Sequence, residues 1–262
     1  YTSLRIVGQP QYKPPDTTGF WAEDLPPQRN YNSVINGKQY SISEIRTALF
    51  PISPGEYAIG KAILNCNVAV KTGLRDPFSD GFFDDFFGTR SKPLPLESKP
   101  VSITVLTLPS EGKPSDFSGA VGIFNISSEV DKRDIKTGDP ITLTVTISGK
   151  GNVKSISEPV IILPGNEFKK YETVSDLNIS KNNYEVSGSK VFKTVLVPRK
   201  AGKMEIPSIK YSFFDYLEKK YKTINTPTIL LSVKQGPKEE IPLQTMALTP
   251  EGVKVLGKDI RY

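Results

Sequence analysis

Apolar and polar residues alternate along most of the 262-residue chain, and this period of two is typical of half-buried β-strands. The clearest case is Ile141-Thr-Leu-Thr-Val-Thr-Ile147, in which apolar residues alternate with Thr without a break. Gly138-Asp-Pro140 precedes this segment and Ser148-Gly-Lys-Gly-Asn152 follows it. We therefore predict a strand between two turns, the second of which is a hairpin turn.

Further segments of the same kind follow at short intervals, separated by Gly, Pro and Asn. Gaps long enough for a crossover helix are missing, so the pattern predicts an all-β chain made of sandwiches. The segment at 43–49 also fits a strand better than a helical turn. The strands predicted in the second half of the chain lie at 159–163, 168–174, 190–197, 208–214 and 226–233.

Two parts of the chain repeat each other, residues 45–59 and residues 192–206. Both segments consist of a strand, a Pro, three further residues, a Gly and a second strand. Pro interrupts the backbone hydrogen bonds of the strand, and Gly permits a positive φ in the turn. We expect equivalent turns in two related domains, with the matched Leu and Ile residues buried. The matched pairs, all 147 residues apart, are Thr47/Thr194, Leu49/Leu196, Pro51/Pro198, Gly55/Gly202 and Ile59/Ile206.

The last strands of the two repeats match through Pro100 and Pro227, which are only 127 residues apart. The first repeat therefore carries about 20 extra residues. We predict two tandem immunoglobulin-like β-sandwich domains, at 1–110 (N-terminally truncated, with an insertion at about 73–97) and at 115–234. Residues 235–262 form a polar linker and tail. Because the linker around 109–114 is short, we expect the domains to lie end to end.

Composition excludes several kinds of chemistry. The chain has no His and one Cys, which excludes a Ser-His-Asp triad, a His-ligated metal and an internal disulfide. The net charge of +6 comes from Lys residues spread along the chain, so we expect no nucleic-acid partner. Cys66 alternates with Leu64 and Val68 and is predicted to be buried. We predict no enzyme activity and no cofactor.

The inserted segment has the most unusual composition in the chain, with five Phe and four Asp among residues 76–88. Five aromatic rings are costly to leave in water, so the segment either packs on its own domain or the domain junction, or docks a partner. Calcium binding is a weaker alternative, because the Asp spacing differs from that of an EF-hand loop. The candidate partner-binding residues are Phe82, Phe83, Asp84, Asp85, Phe86 and Phe87.

Trp21 is the single Trp of the chain and follows Gly19-Phe20. A carbohydrate- or surface-binding module, the alternative to a protein-binding role, would need aromatic residues lined up on an open face. The sequence shows no such row, so we expect Trp21 to pack on the first domain.

Several motifs, in this order and spacing, resemble the BatD family of bacterial oxygen-tolerance (aerotolerance) proteins over essentially the whole chain. No single one of them is decisive. They are Gly19-Phe-Trp21 with Glu23 and Asp24, Leu49-Phe-Pro51 with Gly55, Asp85-Phe-Phe-Gly88, Phe117-Ser-Gly-Ala-Val-Gly122, Ser148-Gly-Lys-Gly-Asn152, Val197-Pro-Arg199 with Gly202, Tyr211-Ser-Phe-Phe-Asp215 and Gly257-Lys-Asp-Ile-Arg-Tyr262.

The resemblance implies a non-enzymatic scaffold on the periplasmic face of the bacterial inner membrane. Its membrane anchor would follow the tail, outside these residues, and its signal would precede them. The implied partners are von Willebrand A-domain membrane proteins and a MoxR-type AAA+ ATPase, with a role in envelope complexes under stress. No catalytic residues are implied. Because A domains can hold a divalent metal, Asp84 or Asp85 beside Phe86 and Phe87 could complete its coordination.

Overall fold

The computed structural model describes residues 5–71 and 89–236, and this part of the chain is almost entirely β-structure. The 3₁₀ turns Val153–Ser155 and Asn182–Tyr184 interrupt the strands. The strands are β1 (Ile6–Lys13), β2 (Phe20–Ile35), β3 (Lys38–Pro51), β4 (Gly55–Ile59), β5 (Ile63–Lys71), β6 (Thr89–Glu97), β7 (Val101–Val105), β8 (Gly122–Val130), β9 (Asp134–Lys136), β10 (Ile141–Gly151), β11 (Phe168–Ser180), β12 (Ser187–Pro198), β13 (Gly202–Ile206), β14 (Lys210–Asp215), β15 (Lys220–Asn225) and β16 (Ile229–Lys234).

The second domain is a two-layer sandwich. One layer is the sheet β11-β12-β10-β8, and the other contains the sheet β13-β16-β9 and the hairpin β14-β15. Alternate residues of β10 are buried, as the Ile/Leu/Val–Thr pattern predicts. Ile141 and Leu196 of one layer share a single buried cluster with Ile206 and Phe213 of the other. The predicted all-β fold class is confirmed, and this layering is compatible with immunoglobulin-like sandwiches.

The first domain repeats the second one strand for strand from β2 onward. Pro51 ends β3 and Pro198 ends β12, while Gly55 and Gly202, both with positive φ, begin the next strands. Strand β4 pairs with β7, as β13 pairs with β16. Gly55 lies opposite Val105 and Gly202 opposite Val233, so the final strands are 128 residues apart, one more than the Pro match indicates. The two repeats therefore share their turns and their strand pairing.

Two local predictions from sequence were wrong. Residues 159–163 form no strand, although Ile161 and Leu163 pack against the core. Pro159 and Pro164 bracket this segment and cannot donate to a ladder. The second error is the hairpin turn at 148–152, because β10 continues through Gly151. Gly149 permits this pairing: a Cβ there would lie 2.0 Å from the carbonyl oxygen of Ile123 on β8.

The expected burial of the matched residues holds in the second domain and fails in the first. Leu196 and Ile206 are completely buried, whereas Leu49 and Ile59 are half-buried. The reason is the number of strands in the layer. Strand β12 lies between β11 and β10, whereas β3 pairs with β2 and has no strand on its other edge within residues 5–71 and 89–236. Cys66 is buried as predicted.

The insertion joins the paired strands β5 and β6. Lys71 lies opposite Thr89, so the predicted insertion at about 73–97 is too long, and the extra residues lie between those two. The corresponding hairpin of the second domain, β14-β15, closes with Asp215 opposite Lys220. Within the described ranges, no helix is long and apolar enough to cross a membrane.

Candidate functional site

The most elaborate group of polar contacts lies where the β2–β3 hairpin meets the second domain. Strand alternation divides the hairpin into two faces. Phe20 belongs to the face that turns toward its own domain, where its ring contacts Tyr57 of β4. Trp21, Glu23 and Leu25 alternate on the opposite face, which turns toward the second domain. Glu23 and Leu25 are both buried.

Glu23 joins the two domains through a pair of lysines. Its Oε1 accepts a hydrogen bond from Lys154 Nζ at 2.9 Å, and its Oε2 lies 2.5 Å from Lys181 Nζ. The hydrogen bonds from Lys181 and Lys154 lower the pKa of Glu23 below its ordinary value. Both oxygens of a buried carboxylate are thus satisfied by cations of the other domain. We refer to these three side chains as the Glu23 bridge.

Aromatic contacts flank the Glu23 bridge. Trp21 stacks on Phe50 of β3 at a centroid distance of 5.0 Å, and Lys154 Nζ lies 4.0 Å from the centroid of the Trp21 ring. On the other side, the Arg46 guanidinium lies 4.0 Å from the ring centroid of Tyr184. Cations over aromatic faces are attracted by the ring quadrupole. Trp21 packs on the first domain as predicted, where its ring stacks on Phe50 and contacts Lys154.

Two 3₁₀ turns of the second domain position Lys154 and Tyr184. Asn152 Oδ1 accepts a hydrogen bond from the backbone N–H of Ser155 at 3.3 Å, which caps the 3₁₀ turn that carries Lys154. Tyr184 lies in the other 3₁₀ turn and has a positive φ of 60°. Such a backbone conformation is rare for an aromatic residue, and it occurs here at a contact with the other domain.

An open cleft of about 820 Å³ lies beside the Glu23 bridge, between the ends of the two domains. Its walls are mainly apolar, and several of the large side chains are well exposed: Ile52 is 74% exposed, Leu106 is 79% exposed and Tyr216 is 46% exposed. Soluble proteins seldom leave such side chains grouped together unless something binds there. The large apolar side chains along the cleft are Trp21, Phe50, Ile52, Val105, Leu106, Leu108, Val121, Val186 and Tyr216.

An ion pair and Lys113 are the charged groups of the cleft wall. Lys150 Nζ and Glu185 Oε2 are 2.5 Å apart, and both side chains are more than half exposed. Glu185 raises the pKa of Lys150 by hydrogen bonding to its charged form. The charges of the pair cancel, and the remaining wall is mainly apolar, so the cleft is suited to an apolar ligand.

The predicted partner-binding residues lie outside the part of the chain that the structure describes. These are Phe82, Phe83, Asp84, Asp85, Phe86 and Phe87. Their role as a docking segment stays a prediction. Among the described residues, no group of three or more Cys, Asp or Glu side chains is arranged to hold a metal ion.

Sequence reasoning did not identify Glu23, Lys154, Lys181 and Tyr184 as residues of the domain junction. The alternation of Trp21, Glu23 and Leu25 was a usable signal, because it places a carboxylate between two apolar residues on one strand face. Lys154, Lys181 and Tyr184 carry no comparable signal, since they lie in short irregular segments more than 100 residues away. Their contacts with the β2–β3 hairpin can be identified only in the folded structure, where the two domains meet.

Comparison with known proteins gives one family. No curated protein and no solved structure matches the chain. A family model described as BatD DUF11 like domain matches residues 128–233, from the end of β8 through most of β16. Residues 128–233 are thus similar to the BatD DUF11 like domain, and this match bears out the predicted resemblance to the BatD family.

Proposed function

We propose that this protein is a non-enzymatic scaffold that binds other proteins of the bacterial envelope through its ends and its domain junction. The observation that carries the proposal is the apolar cleft beside the Glu23 bridge, with Ile52 and Leu106 each about three-quarters exposed. A rigid frame with an exposed apolar surface is the arrangement that protein-binding sites use, because burial of that surface supplies the binding free energy.

The proposed periplasmic location and partners rest on the resemblance to the BatD family. We propose that the chain works on the periplasmic face of the inner membrane, with von Willebrand A-domain proteins as partners and a MoxR-type AAA+ system alongside. The proposed role is the support of envelope complexes during stress or aerobic growth. A carbohydrate-binding role is the alternative, and it is less favoured because the Trp21 ring already stacks on Phe50 and contacts Lys154.

The position of the insertion supports a second docking surface on the first domain. In the second domain, the turn between β14 and β15 contributes Tyr216 to the cleft, so this end of the sandwich receives the neighbouring domain. The equivalent turn of the first domain, between β5 and β6, carries the Phe- and Asp-rich insertion. We propose that this end receives a partner in the same way, with Phe86 and Phe87 as apolar anchors.

Docking at the cleft is tested by titrating a purified von Willebrand A domain, the proposed class of partner, into the 262-residue chain in a calorimeter. Leu106→Lys puts a charge into the cleft and should weaken binding at least tenfold. Leu230→Lys is the matched control, because Leu230 is 69% exposed on β16, outside the cleft, and it should bind like the wild type. Equal affinity of both variants and the wild type would contradict docking at the cleft.

A separate experiment tests the hypothesis that Asp84 or Asp85 completes the coordination of a metal ion held by the partner A domain. Replacing Asp80, Asp84 and Asp85 by Asn keeps size and removes charge. We expect unchanged melting and a loss of the Mg²⁺-dependent part of A-domain binding, measured with and without a chelator. If a chelator leaves the binding of the wild type unchanged, the carboxylates do not complete a metal site and the insertion acts through its Phe residues.

A further inference from the structure

Four segments of the second domain meet at the end that lies opposite the junction. Strand β9 pairs with the end of β16, which joins the first segment to the last. The backbone N–H of Gly138 donates to the Pro198 carbonyl oxygen at 3.0 Å, and that of Arg199 donates to the Glu167 carbonyl oxygen at 2.7 Å. We refer to these segments as the distal end: residues 133–139, 164–167, 198–203 and 234–236.

Cations outnumber acids at the distal end by six to three. All six cationic residues are exposed, and within residues 5–71 and 89–236 none of them forms an ion pair. The cations of the junction differ, because Lys150, Lys154 and Lys181 each pair with a glutamate. The distal end therefore presents unpaired positive charge to an external anion. Its cations are Arg133, Lys136, Arg199, Lys200, Lys203 and Lys234, and its acids are Asp134, Asp139 and Glu167.

The composition of the distal end indicates what kind of anion it suits. Four of its six cations are Lys, and none of its residues is aromatic. Protein-binding sites are depleted in Lys and depend on aromatic and Arg anchors. Single-stranded nucleic acids are held by stacking of their bases on aromatic rings. Lysines on separate loops, without such anchors, suit an extended surface of diffuse negative charge, and anionic lipid headgroups form such a surface.

Strand β10 separates the distal end from the junction. Its first residue, Ile141, follows the distal end in the chain, whereas Lys150, near its last residue, lies in the wall of the cleft. The eleven residues of β10 span about 35 Å, at about 3.3 Å per residue. The field of a charged surface decays over about 8 Å at physiological salt. A surface that attracts the distal end therefore leaves the Glu23 bridge and the cleft outside its field.

We propose that the distal end binds the surface of a lipid bilayer that contains anionic phospholipids, with its six cations next to the headgroup phosphates. The sequence shows Lys residues spread along the chain, and the fold collects these cations at one end of one domain. In this orientation, the first domain and the cleft point away from the bilayer, where a partner can reach them. The proposal does not depend on docking at the cleft, and its test needs no partner protein.

The test measures how the full 262-residue chain binds lipid vesicles. One set of vesicles contains about 40% phosphatidylglycerol in phosphatidylcholine, and the other contains phosphatidylcholine alone. The bound fraction is measured by sedimentation over a range of lipid concentrations at about 0.05 M salt. We expect at least tenfold tighter binding to the anionic vesicles, and loss of that binding at about 0.5 M salt, because salt screens the attraction. A version of the chain that ends at Gly236 should bind in the same way.

Two charge-reversal variants locate the site. Replacing Lys200 and Lys203 by Glu should weaken binding to the anionic vesicles at least tenfold, because it reverses two of the six charges. The matched control replaces Lys92 and Lys99 of the first domain by Glu. These two lysines are also exposed, so both variants have the same net charge and should melt like the wild type. The control variant should bind the anionic vesicles like the wild type.

Equal binding to neutral and anionic vesicles, or equal losses in the two variants, would overturn the proposal. So would binding that requires residues 237–262, because those residues rather than the distal end would then hold the lipid. Competition by inorganic phosphate, but not by chloride at the same ionic strength, would indicate a site for the free anion instead of a bilayer. Tighter binding to a DNA probe than to anionic vesicles at the same salt concentration would identify a nucleic-acid surface instead.

Discussion

The carboxylate of Glu23 accepts from two lysines that lie more than 130 residues further along the chain. A carboxylate that is 9% exposed would be costly to leave ionised without partners. Here Lys154 and Lys181 supply them, and Lys154 also contacts Trp21. This one residue thus connects a strand of the first domain to both 3₁₀ regions of the second.

Replacing Glu23 by Gln keeps its shape and removes its charge, which leaves two cations without their anion. We expect a loss of about 1–3 kcal/mol in the free energy of unfolding, from the cost of a buried hydrogen-bonding group that loses its charged partner. Urea denaturation followed by Trp21 fluorescence measures this directly. Glu97→Gln is the matched control: Glu97 pairs with Lys61, both side chains are about half exposed, and the change should be below about 1 kcal/mol. Equal losses in the two variants would show that the Glu23 bridge contributes no more than a surface ion pair.

Acid should weaken the same bridge. The folded pKa of Glu23 lies below its ordinary value of 4.5, so its stabilising effect is complete above that value and is lost as the pH falls through the folded pKa. Urea midpoints measured from pH 7 to pH 3 should therefore fall at the acidic end, and fall less steeply in Glu23→Gln. Asp215, whose pKa is lowered chiefly by the hydrogen bond from Lys222, contributes equally to both proteins. Identical pH profiles would contradict the role given to Glu23.

At the scale of single elements, the sequence predicts a feature well when neighbouring residues determine it, and poorly when distant segments do. β10, with its Ile/Leu/Val–Thr alternation, and the turns at Pro51 and Pro198 were readable, because each is determined by neighbouring residues. Burial of Leu49 could not be predicted in this way, because it depends on whether another strand lies beside β3. The Glu23 bridge was missed for the same reason: its members come from separate elements that meet only in the folded chain.

Gly149 gives a prediction for one element. The glycine lies in mid-strand, where a Cβ would be 2.0 Å from the Ile123 carbonyl oxygen and 2.7 Å from the Phe124 ring. Gly149→Ala should therefore force β8 and β10 apart and cost about 1–3 kcal/mol, the usual cost of overpacking. The measurement is thermal melting of the variant beside Thr144→Ala, which changes a half-buried position of the same strand without adding volume. A Gly149→Ala protein as stable as the wild type would show that the two strands separate without cost.

At the scale of the whole molecule, the chain leaves the second domain at the end opposite the first domain. Gly236 lies against Thr137, whereas the first domain contacts Lys154, Lys181 and Tyr184 at the other end. The two repeats thus follow each other in series. This supports the predicted end-to-end arrangement, in which one end of each sandwich receives a neighbour.

Small-angle X-ray scattering checks this arrangement. A compact globule of this length would have a radius of gyration of about 18 Å. We expect a value above about 22 Å, both for the full chain and for a version that ends at Gly236, which removes the influence of the last residues. A value near that of the compact globule for the shorter version would contradict an end-to-end arrangement.

The proposed role as a protein-binding scaffold is tested most directly by a photo-crosslinking residue placed at Leu106, in the cleft, in living bacteria. After irradiation, the crosslinked products are purified and identified by mass spectrometry, and the same residue placed at Leu230 serves as the control. We expect protein adducts at Leu106, with von Willebrand A-domain proteins among them, and few or none at Leu230. Glycan adducts at Leu106, or the same protein adducts at both positions, would contradict a protein-docking site at the domain junction.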